Sequence, residues 1–113
     1  MAPDKLRGML GLAKRAGRIV IGQDAVLDAV RKGAATPLAL SAADASARTV
    51  KQLTDKCTTY GVPCRTLPLT SVELGAALGK EAPISTAAVT DRGFARAILG
   101  LLPDAPGADT HHP

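Results

Sequence analysis

The chain has 113 residues, 46% of them apolar and 21% charged, and carries a formal net charge of +4. That is the size of one ordinary domain, with enough apolar residues to bury a core. It contains no run of about 18 apolar residues, which excludes a helical membrane span, and Met9–Ala13 is too short for the apolar region of a secretory signal.

Leu6, Met9, Leu10 and Ala13 recur at helical spacing, with Pro3 and Asp4 suited to the first turn and Gly17 to the stop. Ile19-Val20-Ile21, within Arg18 to Ile21, reads as a short strand. Gly22 then precedes a second helix with Ala25, Val26, Ala29 and Val30 as its stripe and Gly33 at its end. Leu38-Ala39-Leu40 reads as a buried strand entered after Pro37. Asp44 or Ser46 can cap a third helix, striped by Val50, Leu53 and Cys57 and broken at Gly61-Val62-Pro63. A short strand runs from Cys64 to Leu67. Thr70 and Glu73 fit a capping box for a short fourth helix, closed by Gly79. Ile84 to Val89 reads as a further strand. Asp91 can cap a last helix, with Phe94, Ile98 and Leu101 on one face. The only aromatic residues are Tyr60 and Phe94, so Ala, Leu and Val fill the core.

Strands alternate with helices along the whole chain. The pattern predicts an α/β protein: a three-layer α/β/α sandwich with a mixed four-stranded sheet, over residues 1–102 as a single domain. From Pro103 the composition turns to Pro, Gly, Asp and His, which predicts a disordered tail over 103–113.

Charge is unevenly distributed. Residues 1–33 hold seven basic residues and three acidic ones, while residues 34–113 hold seven of each. A solvated helix face accounts for such a cluster, and so does a polyanion partner whose phosphates release counterions on binding. Sequence signatures of catalysis are missing: no GxSxG, HExxH, P-loop or GxGxxG occurs. Asp24 and Asp28 share a helix face, as carboxylates on solvated helices often do. Cys57 and Cys64 read as small reduced thiols, and a bond between them is a question of Cα distance. His111 and His112 lie in the tail, poorly placed to complete a zinc site. No enzyme activity, cofactor or metal is expected.

The join from Ala16 to Asp24 carries more chemistry. A glycine before a helix start leaves free N–H groups and the positive end of the dipole open to a close approach. Gln23 has donors and an acceptor for base edges, Asp24 can accept from a guanine amino group, and Lys14, Arg15 and Arg18 can meet phosphates. Gly22 as a plain turn residue, with Asp24 only complementing the dipole, explains the same pattern equally well. Two aromatics provide no stacking platform, so an RNA partner would be a folded shape rather than a single strand.

The stretches LGLAKRAGRIVIGQDAV, DASARTVKQLTDKC, GVPC, ELGAALGKE and AAVTDRGFA occur in this order. Together they resemble the bacterial YlxQ-type branch of the kink-turn-binding ribosomal protein superfamily, over roughly residues 5–99. The resemblance implies an α/β/α sandwich that binds structured RNA, a kink-turn or related internal loop. In that superfamily a Gly-x-Asn-Glu motif at the second helix reads sheared G·A pairs. Gly22 and Gln23 match its first two positions, while Asp24 and Ala25 stand in place of Asn and Glu. Lys32 matches a basic residue at the end of that helix. Ala82, Pro83 and Ile84 occupy the RNA-contacting loop before the last strand, and Asp44 matches an acidic loop position. Val20 and Ile21 stand where relatives carry basic residues. Each good base contact contributes about 1–3 kcal/mol of discrimination, so the changes at Asp24 and Ala25 shift the expected balance toward phosphate contacts. The expected partner is structured RNA, with ribosomal RNA a candidate, for a cytoplasmic, translation-associated monomer without membrane contact. A protein-interaction adaptor on the same scaffold is the alternative, and it would show an exposed apolar patch.

Overall fold

The computed structural model describes residues 2–102. The tail over 103–113, with His111 and His112, lies outside the described residues.

The elements are α1 (Ala2–Arg15), β1 (Ile19–Ile21), α2 (Gln23–Val30), a 3-10 turn (Gly33–Ala35), β2 (Leu38–Ser41), α3 (Ala47–Tyr60), β3 (Cys64–Thr66), α4 (Ser71–Ala77), β4 (Thr86–Val89) and α5 (Arg92–Leu101). The strands form one sheet in the order β1-β4-β2-β3. β4 runs antiparallel to both β1 and β2, and β2 runs parallel to β3, so the sheet is mixed.

Alternation along the central strands separates two cores. Leu38 and Leu40 of β2, with Ala87 and Val89 of β4, face α1, α4 and α5 through Leu6, Leu10, Leu74, Leu78 and Ile98. Ala39 and Ala88 point the other way, under Val26, Ala29 and Val30 of α2 and Leu53 and Cys57 of α3. The small side chains on that face let α2 lie close to the sheet. This is the expected α/β/α sandwich.

Local signals fix several helix ends. Ser46, not Asp44, caps α3 by accepting from the Thr49 N–H at 3.1 Å. Thr70 and Glu73 complete the capping box of α4, and Asp91 accepts from the Phe94 N–H at 2.9 Å. The last strand starts later than its apolar run suggests, at Thr86 rather than Ile84. The reason is tertiary: the Ile84 N–H donates to the Ser71 carbonyl and the Ser85 carbonyl accepts from the Ala42 N–H, so both residues serve the loop. α2 likewise ends at Val30, and Gly33 opens the 3-10 turn that follows.

Strand register gives the sheet two ends. Ile21 pairs with Ala87 and Ser41 with Thr86, so Gly22, Thr86 and the loop after β2 share the near end. Ile19 and Leu38 both pair with Val89, so Arg18, Thr90 and Pro37 share the far end.

Candidate functional site

Gly22 turns the chain from β1 into α2 with φ 98° and ψ 145°, a conformation L side chains rarely adopt. A Cβ there would meet nothing within 4 Å, so the backbone faces open space. No side chain caps α2. The Val26 N–H takes the Gly22 carbonyl at 2.8 Å, leaving the amides of Gln23, Asp24 and Ala25 without a partner among the described residues. Three N–H groups and the positive end of the helix dipole thus face outward beside a bare glycine, an arrangement suited to polar, electron-rich groups. Asp24 and Ala25 are exposed there.

The β4 entrance holds this helix start in place. The Gly22 N–H donates to the Thr86 carbonyl at 3.3 Å. The Thr86 hydroxyl donates to the Gln23 amide oxygen at 3.0 Å, and Gln23 Nε2 donates to Gln52 Oε1 of α3 at 3.1 Å. Gln23 therefore spends part of its hydrogen-bonding capacity on the protein, and Gln52 joins the site through it.

The loop ahead of β4 is set by α4. A Cβ on Gly75 would overlap the Ala82 carbonyl oxygen, so only glycine lets the Ala82–Pro83 backbone lie against the helix. Asp44 accepts from the Ser71 N–H at 2.7 Å and the Ser71 hydroxyl at 3.4 Å, and the Ser71 carbonyl accepts from the Ile84 N–H at 3.0 Å. Asp44 thereby ties the loop after β2 to the loop before β4. Ala82 and Pro83 are exposed, and Ile84 is 7% exposed.

The structure brings Gly22, Gln23 and Asp24 to the same sheet end as Ala82, Pro83 and Ile84. Lys14, Arg15, Arg18 and Lys32 are elsewhere. Arg18 precedes β1 while Gly22 follows it, a separation of about 13 Å at strand rise. Lys32 lies beyond the C-terminal end of α2, about 12 Å along the axis from Asp24. Lys14 and Arg15 line a surface cavity of about 340 Å³ against Ala76–Gly79. Gln52, Thr86, Ser71 and Gly75 were missed by sequence reasoning. Of these only Gly75, a glycine inside a helical pattern, carries a local signal.

Two further polar sites lie apart from Gly22–Asp24. Glu73 bridges to Arg7 at 2.8 Å. The Thr70 N–H at its carboxylate, more than the Thr70 hydroxyl or Arg7, holds its pKa below the usual carboxylate value. Cys57 and Cys64 are free thiols. Interaction with Cys64 raises the pKa of buried Cys57, while interaction with Cys57, and after it with Thr54, lowers that of half-buried Cys64. No group of three or more His, Cys, Asp or Glu among the described residues is placed to hold a metal ion. No described helix is long and apolar enough to cross a membrane.

These features define a class: an α/β/α sandwich whose second helix starts on an uncapped glycine, beside the loop that enters the central antiparallel strand. The chain belongs to the ribosomal protein L7Ae/L30e/S12e/Gadd45 family, whose family model matches residues 4–99. It is similar to the RNA-binding protein YlxQ of Bacillus subtilis (strain 168), with 45% identity over 94 residues, 83% of this chain and 91% of that one. It is also similar to the RNA-binding protein YlxQ of Enterococcus faecium, with 34% identity over 98 residues, 87% of this chain and 91% of the relative. Among solved structures it resembles a Bacillus halodurans protein of unknown function, with TM-score 0.79, 35% identity, and coverage of 86% of this chain and 95% of that one. The fold alone is shared with a 15.5 kD RNA binding protein of Giardia lamblia, with TM-score 0.74, 22% identity, and coverage of 88% and 83%. The resemblance to YlxQ-type proteins read from the sequence motifs is borne out.

Proposed function

We propose that this chain is a non-catalytic RNA-binding protein that takes a structured internal-loop RNA, of the kink-turn kind, at the near end of its sheet. One observation carries the reading: the bare start of α2 at Gly22–Asp24 is locked through Gln23 and Thr86 to the loop that holds Ala82–Ile84. A rigid edge with outward N–H groups on one side and an apolar loop on the other fits a widened, non-Watson–Crick RNA groove better than a regular duplex. The family and the chain's similarity to the RNA-binding YlxQ proteins of Bacillus subtilis and Enterococcus faecium support it. Asp24 can accept from a guanine amino group, while its carboxylate repels phosphates, so base edges rather than backbone belong beside it. We assign the protein to the cytoplasm and to translation, as a monomer, with ribosomal RNA the first target to examine. An adaptor would need a broad apolar patch. The large exposed apolar side chains among the described residues are Leu12, Tyr60 and Val72, on three different helices.

Titration against an internal-loop kink-turn RNA and a plain duplex, over a range of salt, tests this. A preference of about tenfold or more for the internal loop is expected, equal to roughly 1.4 kcal/mol. Equal binding to both RNAs would overturn the internal-loop reading, and negligible binding to both would overturn RNA binding.

A further inference from the structure

Along the chain the positive excess falls in the first third, but in space it gathers by sheet end. The Thr90 N–H donates to the Arg18 carbonyl at 2.9 Å, which seats Arg18 beside the start of α5. Arg92 and Arg96, one turn apart on α5, line a shallow surface cavity with Pro37, the residue that enters β2. Lys32 leads into the 3-10 turn that runs to the same strand entrance. Lys14 and Arg15 close α1, and the Arg18 N–H folds back onto the Ala13 carbonyl at 2.9 Å. Lys14, Arg15, Arg18, Lys32, Arg92 and Arg96 thus crowd the far end of the sheet, all but Lys14 exposed. None of the six has an ion-pair partner among the described residues, whose ion pairs involve Arg7, Arg31 and Lys51. Of the nearby acids, Asp28 is paired with Arg31 and Asp91 accepts from the Phe94 N–H. The near end carries exposed Asp24 and Asp44.

We infer that the far end is a second RNA-contacting surface, which grips the phosphate backbone of a helical segment distinct from the one read at Gly22–Asp24. This rests on the RNA-binding reading above and extends it from one contact to two. Six unpaired cations on four separate segments suit a run of phosphates, which they can neutralise with counterion release, and offer no fixed set of donors for base edges. The sheet stands between the two ends, with about 13 Å separating Arg18 from Gly22 along β1 alone. The protein therefore clamps two RNA segments on opposite sides and holds them at a fixed spacing.

The test uses the full chain, an internal-loop RNA with one fluorophore and a plain RNA duplex with another. The wild type is expected to bring the two together in one complex, seen as energy transfer. The variant Arg18→Glu/Arg92→Glu/Arg96→Glu is expected to lose that transfer. It should bind plain duplex about tenfold more weakly near 0.1 M salt, with a flatter salt dependence, and keep its preference for the internal loop. These side chains are exposed, so its melting temperature should match the wild type. Should it fail to fold, the corresponding Arg→Gln variant is expected to show the same losses to a smaller degree. Unchanged duplex affinity and energy transfer in a folded variant would overturn the inference. If the wild type lacks internal-loop preference while the variant still loses duplex binding, the near-end reading fails and the far-end surface stands.

Discussion

The hydroxyl of Thr86 donates to the side-chain oxygen of Gln23 across 3.0 Å, joining residues 63 positions apart in the chain. Gln23 passes the connection on to Gln52. Gln23 is thereby anchored on both sides, and the first turn of α2 is fixed relative to β4.

Thr86→Val should break this anchor with little change in shape. The loss of one hydrogen bond costs about 1 kcal/mol of stability. Selectivity for internal-loop RNA over duplex should fall several-fold, and Gln23→Ala should do the same. Paired RNA titrations with a thermal melt check this. Unchanged selectivity in both variants would show that the Gln23 side chain does not position the helix start for RNA.

Gly75→Ala and Gly8→Ala form a matched pair within helices. A Cβ on Gly75 meets the Ala82 backbone, whereas one on Gly8 meets nothing within 4 Å. Gly75→Ala should destabilise by about 1–3 kcal/mol and weaken internal-loop binding by displacing the Ala82–Pro83 loop. Gly8→Ala should stabilise by about 0.5–1 kcal/mol and leave binding alone. Denaturant midpoints of the two proteins, compared with the wild type, decide it.

Stability should also fall on the acid side in a way traceable to Glu73. Its folded pKa lies below the unfolded one, chiefly because the Thr70 N–H is bound to the carboxylate. The contribution is therefore complete above the unfolded carboxylate range and is lost as pH drops through the folded pKa. Melting temperatures from pH 6 down to pH 3 should decline less steeply in Glu73→Gln than in the wild type. Parallel declines would rule out a role for this carboxylate.

The two thiols should differ in reactivity. The neighbouring Cys57, and after it Thr54, favours the thiolate of Cys64, while Cys57 is buried and its pKa is raised. Iodoacetamide near neutral pH should modify Cys64 well before Cys57. Cys57→Ala should slow alkylation of Cys64, as seen by mass spectrometry of intact protein. Equal rates at both positions in the wild type would show that the pair is not arranged this way.

What could be read from the chain follows the range over which each interaction acts. Ser46, the Thr70–Glu73 pair and Asp91 hold partners three residues away, so spacing alone marks three helix starts, although it leaves Asp44 and Ser46 as rivals. The alternation of Leu38, Ala39 and Leu40 marks a strand covered on both faces. Gly22 before a helical stripe is visible for the same reason. Gln52 and Thr86 carry no such mark, because they meet Gln23 only after 29 and 63 residues of intervening chain have folded. Asp44 looks like a helix cap until α4 brings Ser71 to it. The basic residues mislead most. Counting along the chain groups Lys14, Arg15 and Arg18 with Gly22, whereas strand register groups them by sheet end with Arg92, two-thirds of the chain further on.

The order β1-β4-β2-β3 has a consequence for how the protein comes into being. β1 has one neighbour in the sheet, and that neighbour is the last strand in the chain. A polypeptide made from its N-terminus outward can pair β2 with β3 early, but Ile19–Ile21 must wait for Thr86–Val89 to slide between. Until then Gly22 has no Thr86 to hold it and α2 has no fixed heading. The near-end surface is thus absent from every nascent or truncated chain that stops short of β4, and its appearance reports that the last strand has taken its place in the sheet.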